Sequence, residues 1–544
     1  MIPMLDATRL PWPRILLALS VCLPFAVVLW IVWQFGTDIW NHEYISAIPL
    51  LSAIRQGEWL QAIHLVDQLF QHRSYVTHAV MIAVMILTRG SMFAQLLIAP
   101  FAALGITVLL GNLLTQSFVL TKSRWRVVVY LAVSLATFSL IHHELWLRGA
   151  YDILLASLFF LSAVWLLARE RAFNMRDWVL VFLLLLAAAL SYTVGLAAWI
   201  AVLPLLWRRA THTRVSMFLV WAIGFSVTLL ILFSGRRSAF HDNIDQSAQL
   251  IADVPRLALA LIGAPLSFLK IQLSLVLGAI GLVGFLVMVP RRKSALLSQH
   301  VSVIPLSVVL FALCSALLVA FGKADIGKDI IGISRYFFIG TLGILGWIAL
   351  LGQCMPNAAW RRFALVGLFS IGFSLFVRSL LVYPFLRPDR LYFESGRACL
   401  AVYDIAAESC LYILHENMDV LQRDMPVLEQ MGYFERFRIP SDATFRRDGT
   451  LQGAFDAIII PLKTPDTELV ANGWAIGEDC TGLQHVVLTM GPSHRLVGLA
   501  VTTMPRQVLS LVDPACAASA AWEVFLKRSL LEQTGASHID AWLY

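Results

Sequence analysis

Charge is what this sequence has least of. Of its 544 residues only 14% are Asp, Glu, Lys or Arg, against 59% hydrophobic, and the mean hydropathy is +0.76. A soluble domain carries roughly a quarter charged residues, so a water-soluble globular chain is excluded and a polytopic α-helical membrane protein is expected. No Gly-x-Gly-x-x-Gly loop within a soluble βαβ unit is evident, which argues against a nucleotide-binding domain of that kind. His-Glu-x-x-His is missing too, and with it the usual zinc-hydrolase pattern. No small-residue cleavage site follows the first apolar run, which begins at Arg14 and contains Pro24, so that run reads as a retained signal anchor. Internal repeats and charges at the bilayer midplane, which a transporter or flippase would use, are not found. The net charge of +7 requires no nucleic acid to explain it.

What is present is a series of apolar runs. Crossing the hydrocarbon core takes about 17 to 25 residues, and about eleven such runs are centred near residues 25, 107, 136, 160, 185, 201, 225, 281, 312, 345 and 373. Two others, "YVTHAVMIAVMIL" (75 to 87) and "LALALIGAPLSFL" (257 to 269), are too short and read as interfacial or re-entrant. Basic residues gather in alternate loops, among them Arg124, Arg126, Arg169, Arg176, Arg208, Arg209, Arg361 and Arg362. Acids such as Asp38, Glu43, Glu58, Glu144 and Asp152 gather in the others. The positive-inside rule then puts the N-terminus in the cytoplasm and, with an odd number of spans, everything after Tyr383 outside.

Composition changes near Leu386. The expected organisation is a membrane domain over 1–385, a helical segment over 386–445 and a β-sandwich over 446–544. Leu411, Leu414, Met418, Leu421, Met425 and Leu428 share one helix face, kinked or restarted at Pro426. "FDAIIIP", "HVVLTM", "HRLVGLAV" and "QVLSLV" read as short strands. Four of the seven cysteines fall here, as disulfides Cys399–Cys410 and Cys480–Cys516 in an oxidising compartment or as four buried thiols.

Polar clusters interrupt the apolar pattern on the acidic side. "TDIWNHEY" sets Asp38, His42 and Glu43 just beyond the first run, either as a general base near a lipid headgroup or as a helix-end anchor. "QHRSYVTH" adds His72 and Arg73. "SLIHHELWLRGAYD" carries His142, His143, Glu144, Arg148 and Asp152, suited to a polar substrate or a metal ion. "GKADIGKDIIGISRYF" places Lys323, Lys328, Arg335 and Tyr336 against the topological trend, as phosphate contacts or as snorkelling anchors.

An acidic motif after the first span, an amphipathic loop ending in "LFQHR", a later "HHELWLRGAYD" and a "SRYF" before a late span occur in an order that resembles bacterial membrane glycosyltransferases of the GT-C class. The tail "ELVANGWAIGEDCTGLQHVVLTMGPSHRLVGLAVTTMPRQVLSLV" is similar to the small β-sandwich appended to several surface-polysaccharide enzymes. The resemblance implies a sugar donor linked to polyprenyl phosphate, a glycan or lipid acceptor, and action on the periplasmic face of a bacterial inner membrane. It implies Asp38 as catalytic base, with Glu43 as second choice, and Arg335, Arg73, Lys323 and Tyr336 as donor-phosphate contacts. His42, His72, Glu144, Arg148 and Trp474 become acceptor or sugar contacts, Trp474 being a stacking platform or a core residue. No redox cofactor is implied, a divalent cation is allowed, and no metal ligands are assigned. An O-antigen-type polymerase or ligase and a polysaccharide flippase are the rival readings.

Overall fold

The computed structural model describes residues 12–40, 42–69, 74–120, 123–169, 174–209, 214–233, 244–267, 270–291, 300–323, 327, 329–330, 332–354, 358–415, 417–437, 452–459, 468–476, 485–491, 494–502, 521–534 and 538–543. The chain falls into two compact units. One comprises Met1–Gly36, Gln71–Met81 and Ala94–Tyr383, the other Thr37–Phe70, Ile82–Phe93 and Pro384–Tyr544.

Among the described residues, seven helical stretches are long and apolar enough to cross a membrane: Trp12–Phe35, Met92–Ser117, Ser123–Leu147, Ile271–Val289, Ser302–Gly322, Ser334–Cys354 and Ala359–Ala401. The chain is a helical membrane protein. Of the other four expected runs, one is the 20-residue helix Arg214–Phe233, and three are shorter or broken, at Asp152–Leu167, Met175–Ser191, and Leu196–Ala201 with Leu203–Arg209. The break near 201 has a local cause. Pro204 has no amide hydrogen, so one helix stops at Ala201 and another restarts at Leu203. The stretch at 75 to 87 is the 14-residue helix Tyr75–Thr88. That at 257 to 269 is the end of helix Ile244–Gly263, followed by a turn over Ala264–Leu266.

Within the helical unit, glycines let backbones touch. A Cβ on Gly278 would meet the Leu259 carbonyl oxygen, and one on Gly263 the Ser274 carbonyl oxygen, so helix Ile244–Gly263 lies hard against Ile271–Arg291. Small residues at such crossings are how helices associate where lipid removes the hydrophobic drive between them. Phe160 and Phe311 stack with ring centroids 4.1 Å apart in the core. Trp33, Leu230, Ile280 and Phe363 are left exposed, an apolar surface suited to lipid.

The second unit mixes helices and strands. Helices His42–Ser46 and Ile48–Arg55 are joined to the chain past residue 400 by hydrogen bonds, Ser46 Oγ lying 3.0 Å from His415 Nε2 and Arg55 Nη1 donating to the Met431 carbonyl at 3.3 Å. Cys399 and Cys410 form a disulfide with Cα atoms 5.8 Å apart. The expected helix face from 411 to 428 is divided. Glu408–Leu411 ends in a turn, and Met418–Gln430 begins afresh where the Asn417 side chain accepts from the Val420 amide, then runs on through Pro426. Pro426 neither stops nor restarts it, because Leu421, Met425 and Leu428 are all buried and that packing holds the turn.

Among the described residues six strands make two three-stranded antiparallel sheets. β1 (Gln452–Ile459), β2 (Glu468–Ile476) and β5 (Ala521–Lys527) form one in the order β1-β2-β5. β3 (His485–Met490), β4 (Arg495–Val501) and β6 (Ile539–Leu543) form the other in the order β4-β3-β6. The strand expected at "QVLSLV" and the cysteines Cys480 and Cys516 lie outside the described residues.

Candidate functional site

Two groupings of polar residues stand out, one in each unit. In the helical unit, helix Ser123–Thr137 ends in a sharp turn at Ser139. Its hydroxyl donates to the Leu375 carbonyl at 2.5 Å, and the Leu140 amide donates to Ser379 Oγ at 2.8 Å. Trp146 Nε1 closes the turn by donating to the Ser139 carbonyl at 3.2 Å. The loop "HHELWLR" is thereby fixed, and Glu144 is set against "SRYF": the Ser334 hydroxyl accepts from the Glu144 amide at 3.1 Å, and the Arg335 amide donates to Glu144 Oε2 at 3.4 Å. The other carboxylate oxygen lies 3.5 Å from Arg148 Nη1.

The Arg335 guanidinium lies 5.4 Å from the Tyr336 ring centre. The Tyr336 hydroxyl is 3.2 Å from that of Tyr192, which ends helix Met175–Ser191. Asp152, in the first turn of helix Asp152–Leu167, acts electrostatically on both phenols. Two guanidinium groups, two carboxylates and two phenols are thus gathered from three separate parts of the chain. Next to them Tyr151 donates to Gln95 Oε1 at 3.0 Å, and Gln95 Nε2 donates to the Met81 carbonyl at 2.7 Å.

In the mixed unit, Asp38 follows the first long helix and is exposed. Its Oδ1 accepts from the Met92 amide at 2.5 Å, the Phe93 amide at 2.9 Å and the Ser91 hydroxyl at 3.5 Å, capping the helix that starts at Met92. A carboxylate at a helix N-terminus satisfies amides that have no partner within the helix. Asp38 also lines a cavity of about 690 Å³ together with Arg89, Arg397, Tyr433, Arg436 and His485. Arg436 bridges Asp404 and Glu429, each at 3.0 Å, and donates to the Tyr403 hydroxyl at 2.6 Å. His485 is held below the ordinary imidazole range by desolvation in the pocket and by the nearby Arg397 charge, with Glu394 opposing.

Of the expected site residues, Glu144, Arg148, Arg335 and Tyr336 are brought together in one cluster. Lys323 ends helix His300–Gly322, half-buried. His42 and Glu43 fall in the short helix His42–Ser46, their side chains outside what is described, and His72 and Arg73 lie outside the described residues. Trp474 is half-buried in β2, paired with Ala454 on one side and Ala521 on the other. His142 is buried, with Nε2 3.3 Å from the Ala136 carbonyl and its ring edge-on to Phe338. Among the described residues no three His, Cys, Asp or Glu side chains gather as a metal site would need. Sequence reasoning missed Tyr192, Arg89, Arg397 and His485. The one usable signal was "SYTVG" at 191 to 195, a polar break between two apolar runs. The chain matches no protein-family model, no curated protein and no solved structure.

Proposed function

We propose that this protein is a membrane glycosyltransferase that moves a sugar from a polyprenyl-phosphate carrier to a cell-surface glycan or lipid acceptor, on the periplasmic face of a bacterial inner membrane. The observation that carries this reading is the polar cluster of the helical unit, where Arg148 pairs with Glu144, the Arg335 amide donates to the same carboxylate, and the Arg335 guanidinium lies by the ring of Tyr336, whose hydroxyl meets that of Tyr192. Guanidinium forks bind phosphate oxygens in pairs. The Arg148–Glu144 pair, 3.5 Å long with Arg148 42% exposed, is the loose kind of ion pair that a phosphate can displace. Sidedness is supported by the basic residues of alternate loops and by the Cys399–Cys410 disulfide, a bond that persists in oxidising compartments. The two small sheets fit the appended β-sandwich expected for such enzymes.

Asp38 is the base. Its Oδ2 takes the proton of the acceptor hydroxyl as that oxygen bonds to the sugar's C1. The bond from C1 to the carrier phosphate oxygen breaks, and the carrier leaves with the electron pair. A positioned base contributes about 10²- to 10⁴-fold in rate. Asp38→Asn tests this cleanly, because the amide oxygen still accepts from the Met92 and Phe93 amides and the helix keeps its cap. Release of carrier from a panel of radiolabelled polyprenyl-phosphate sugars should fall by that factor with the melting temperature unchanged. Wild-type turnover in Asp38→Asn would remove Asp38 from the chemistry, and no release from any carrier by the native protein would end the reading.

A further inference from the structure

We infer that the cavity beside Asp38 binds an anionic saccharide, with Arg89 and Arg397 holding its charged group. The inference rests on the reading above in one respect only, the assignment of that saccharide as the sugar acceptor. A volume of about 690 Å³ is within the size of small-molecule sites. Its wall comes from chain segments far apart in sequence, namely Asp38 to Trp40, Thr88 to Ser91, Arg397 to Ala401, Tyr433 to Phe437, and the strand residues His485 and Leu499.

Arg89 is the unusual member. It is the residue after helix Tyr75–Thr88 and has φ +53, with Gly90 at φ +82. The Gly90 amide donates back to the Met85 carbonyl at 2.8 Å, so the helix ends with a left-handed residue in the place where glycine is usual. A side chain there is disfavoured by contact between its Cβ and the backbone, and at this position the side chain is an arginine lining a cavity. A Cβ on Gly90 would come within 3.1 Å of the Trp40 ring and of Tyr433 Cβ, so the backbone is pressed against the cavity wall.

Of the three arginines in the wall, which face the carboxylates of Asp38 and Glu435, two are left for an anionic group. Arg436 is committed to Asp404, Glu429 and Tyr403. Arg397 reaches Glu394 only at 3.8 Å and is 58% exposed. Arg89 is exposed, and among the described residues it shares no ion pair with a carboxylate. Two cations are therefore available to a phosphate or carboxylate group. The rest of the wall suits a sugar: Asp38 and Glu435 accept from hydroxyls, and Tyr433 and Phe434 offer aromatic surface to the apolar face of a ring.

Calorimetry on the full-length protein in detergent, with glucose 6-phosphate, methyl glucoside and inorganic phosphate as probes, tests the inference. Glucose 6-phosphate should bind, and each of the other two should bind about tenfold more weakly or worse, since each lacks half of the recognition. Arg89→Gly should weaken glucose 6-phosphate about tenfold while raising the melting temperature, because glycine relieves the left-handed residue. Arg397→Gln should weaken it similarly at constant melting temperature. The inference is overturned by undiminished binding in Arg89→Gly, by methyl glucoside binding as well as the phosphorylated sugar, by inorganic phosphate doing so, or by no probe binding at all. Carrier release without charge-dependent binding would sink this inference and leave glycosyl transfer standing. Charge-dependent binding without carrier release would do the reverse.

Discussion

In the helical unit several buried polar side chains find partners in distant parts of the chain, whereas in the mixed unit much of the charge lies at the surface. Gln95 is held between Tyr151 and the Met81 carbonyl, Ser139 between Leu375 and Ser379, Tyr192 against Tyr336, and Glu144 against two segments of the chain. Hydrocarbon offers no hydrogen bonds, so a polar group there needs an internal partner. In the mixed unit Arg397, Arg423 and Arg528 are about half exposed in ion pairs with residues one, three or four positions away. Pairs of that kind contribute about 0–1 kcal/mol. The helical unit thus depends on close backbone contact and internal partners. The mixed unit depends on strand pairing, buried apolar residues and, among the described residues, one covalent link.

The sharpest way to break this contrast is at the glycines. Gly278→Val drives a branched side chain into the Leu259 carbonyl and should cost about 3 kcal/mol, read as a large drop in the thermal unfolding of the helical unit in detergent. Gly432, at φ +72 in the mixed unit, has open space around its Cβ, and Gly432→Ala should cost only about 1 kcal/mol for its left-handed backbone. Equal losses at the two positions would mean that close helix contact is not what sustains the helical unit.

The covalent link comes next. Cys399 and Cys410 are eleven residues apart, and closing a loop of that length removes enough entropy from the unfolded chain to stabilise by about 3 kcal/mol. Reduction with dithiothreitol should lower the unfolding transition of the mixed unit and leave that of the helical unit in place. A shift in both would show that the two do not unfold separately.

The smallest effect belongs to His485. Its folded-state pKa lies below 6.5, so between the two values the unfolded chain binds a proton that the folded one refuses. The contribution is fully present above about pH 6.5 and is lost as pH falls through the depressed folded value. Denaturant melts of the mixed unit from pH 7.5 down to 5.5 should show a decline that His485→Gln flattens. An identical decline in that variant would assign it to other groups.

Periodicity and charge made much of this legible. Seven of the expected spans reappear as long apolar helices because hydropathy over about twenty residues is a local property. β3 and β4 were readable from "HVVLTM" and "HRLVGLAV", both β-branched and mostly buried. β5 and β6 were not, since "AWEVFLK" and "IDAWL" are short and mixed in polarity, and pairing with β2 and β3 is what makes them strands. The meeting of Glu144 with Arg335 spans 191 residues, so the two motifs could be singled out but not joined. Asp38 was legible as a residue and illegible as a cap, because the amides it accepts from lie more than fifty positions away.

The mixed unit is assembled from Thr37–Phe70, Ile82–Phe93 and Pro384–Tyr544, and this sets a timetable for biogenesis. Its first two pieces leave the ribosome nearly three hundred residues before the third, an interval of roughly 15 to 60 s at about 5–20 residues per second. Throughout that interval Ser46 has no His415 to meet and Arg55 no Met431 carbonyl. A nascent chain interrupted before Pro384 would have its helical bundle with the partners of the first loop still missing. Asp38 can meet its Met92 and Phe93 amides early, but the contacts of Ser46 and Arg55 wait for the C-terminal piece.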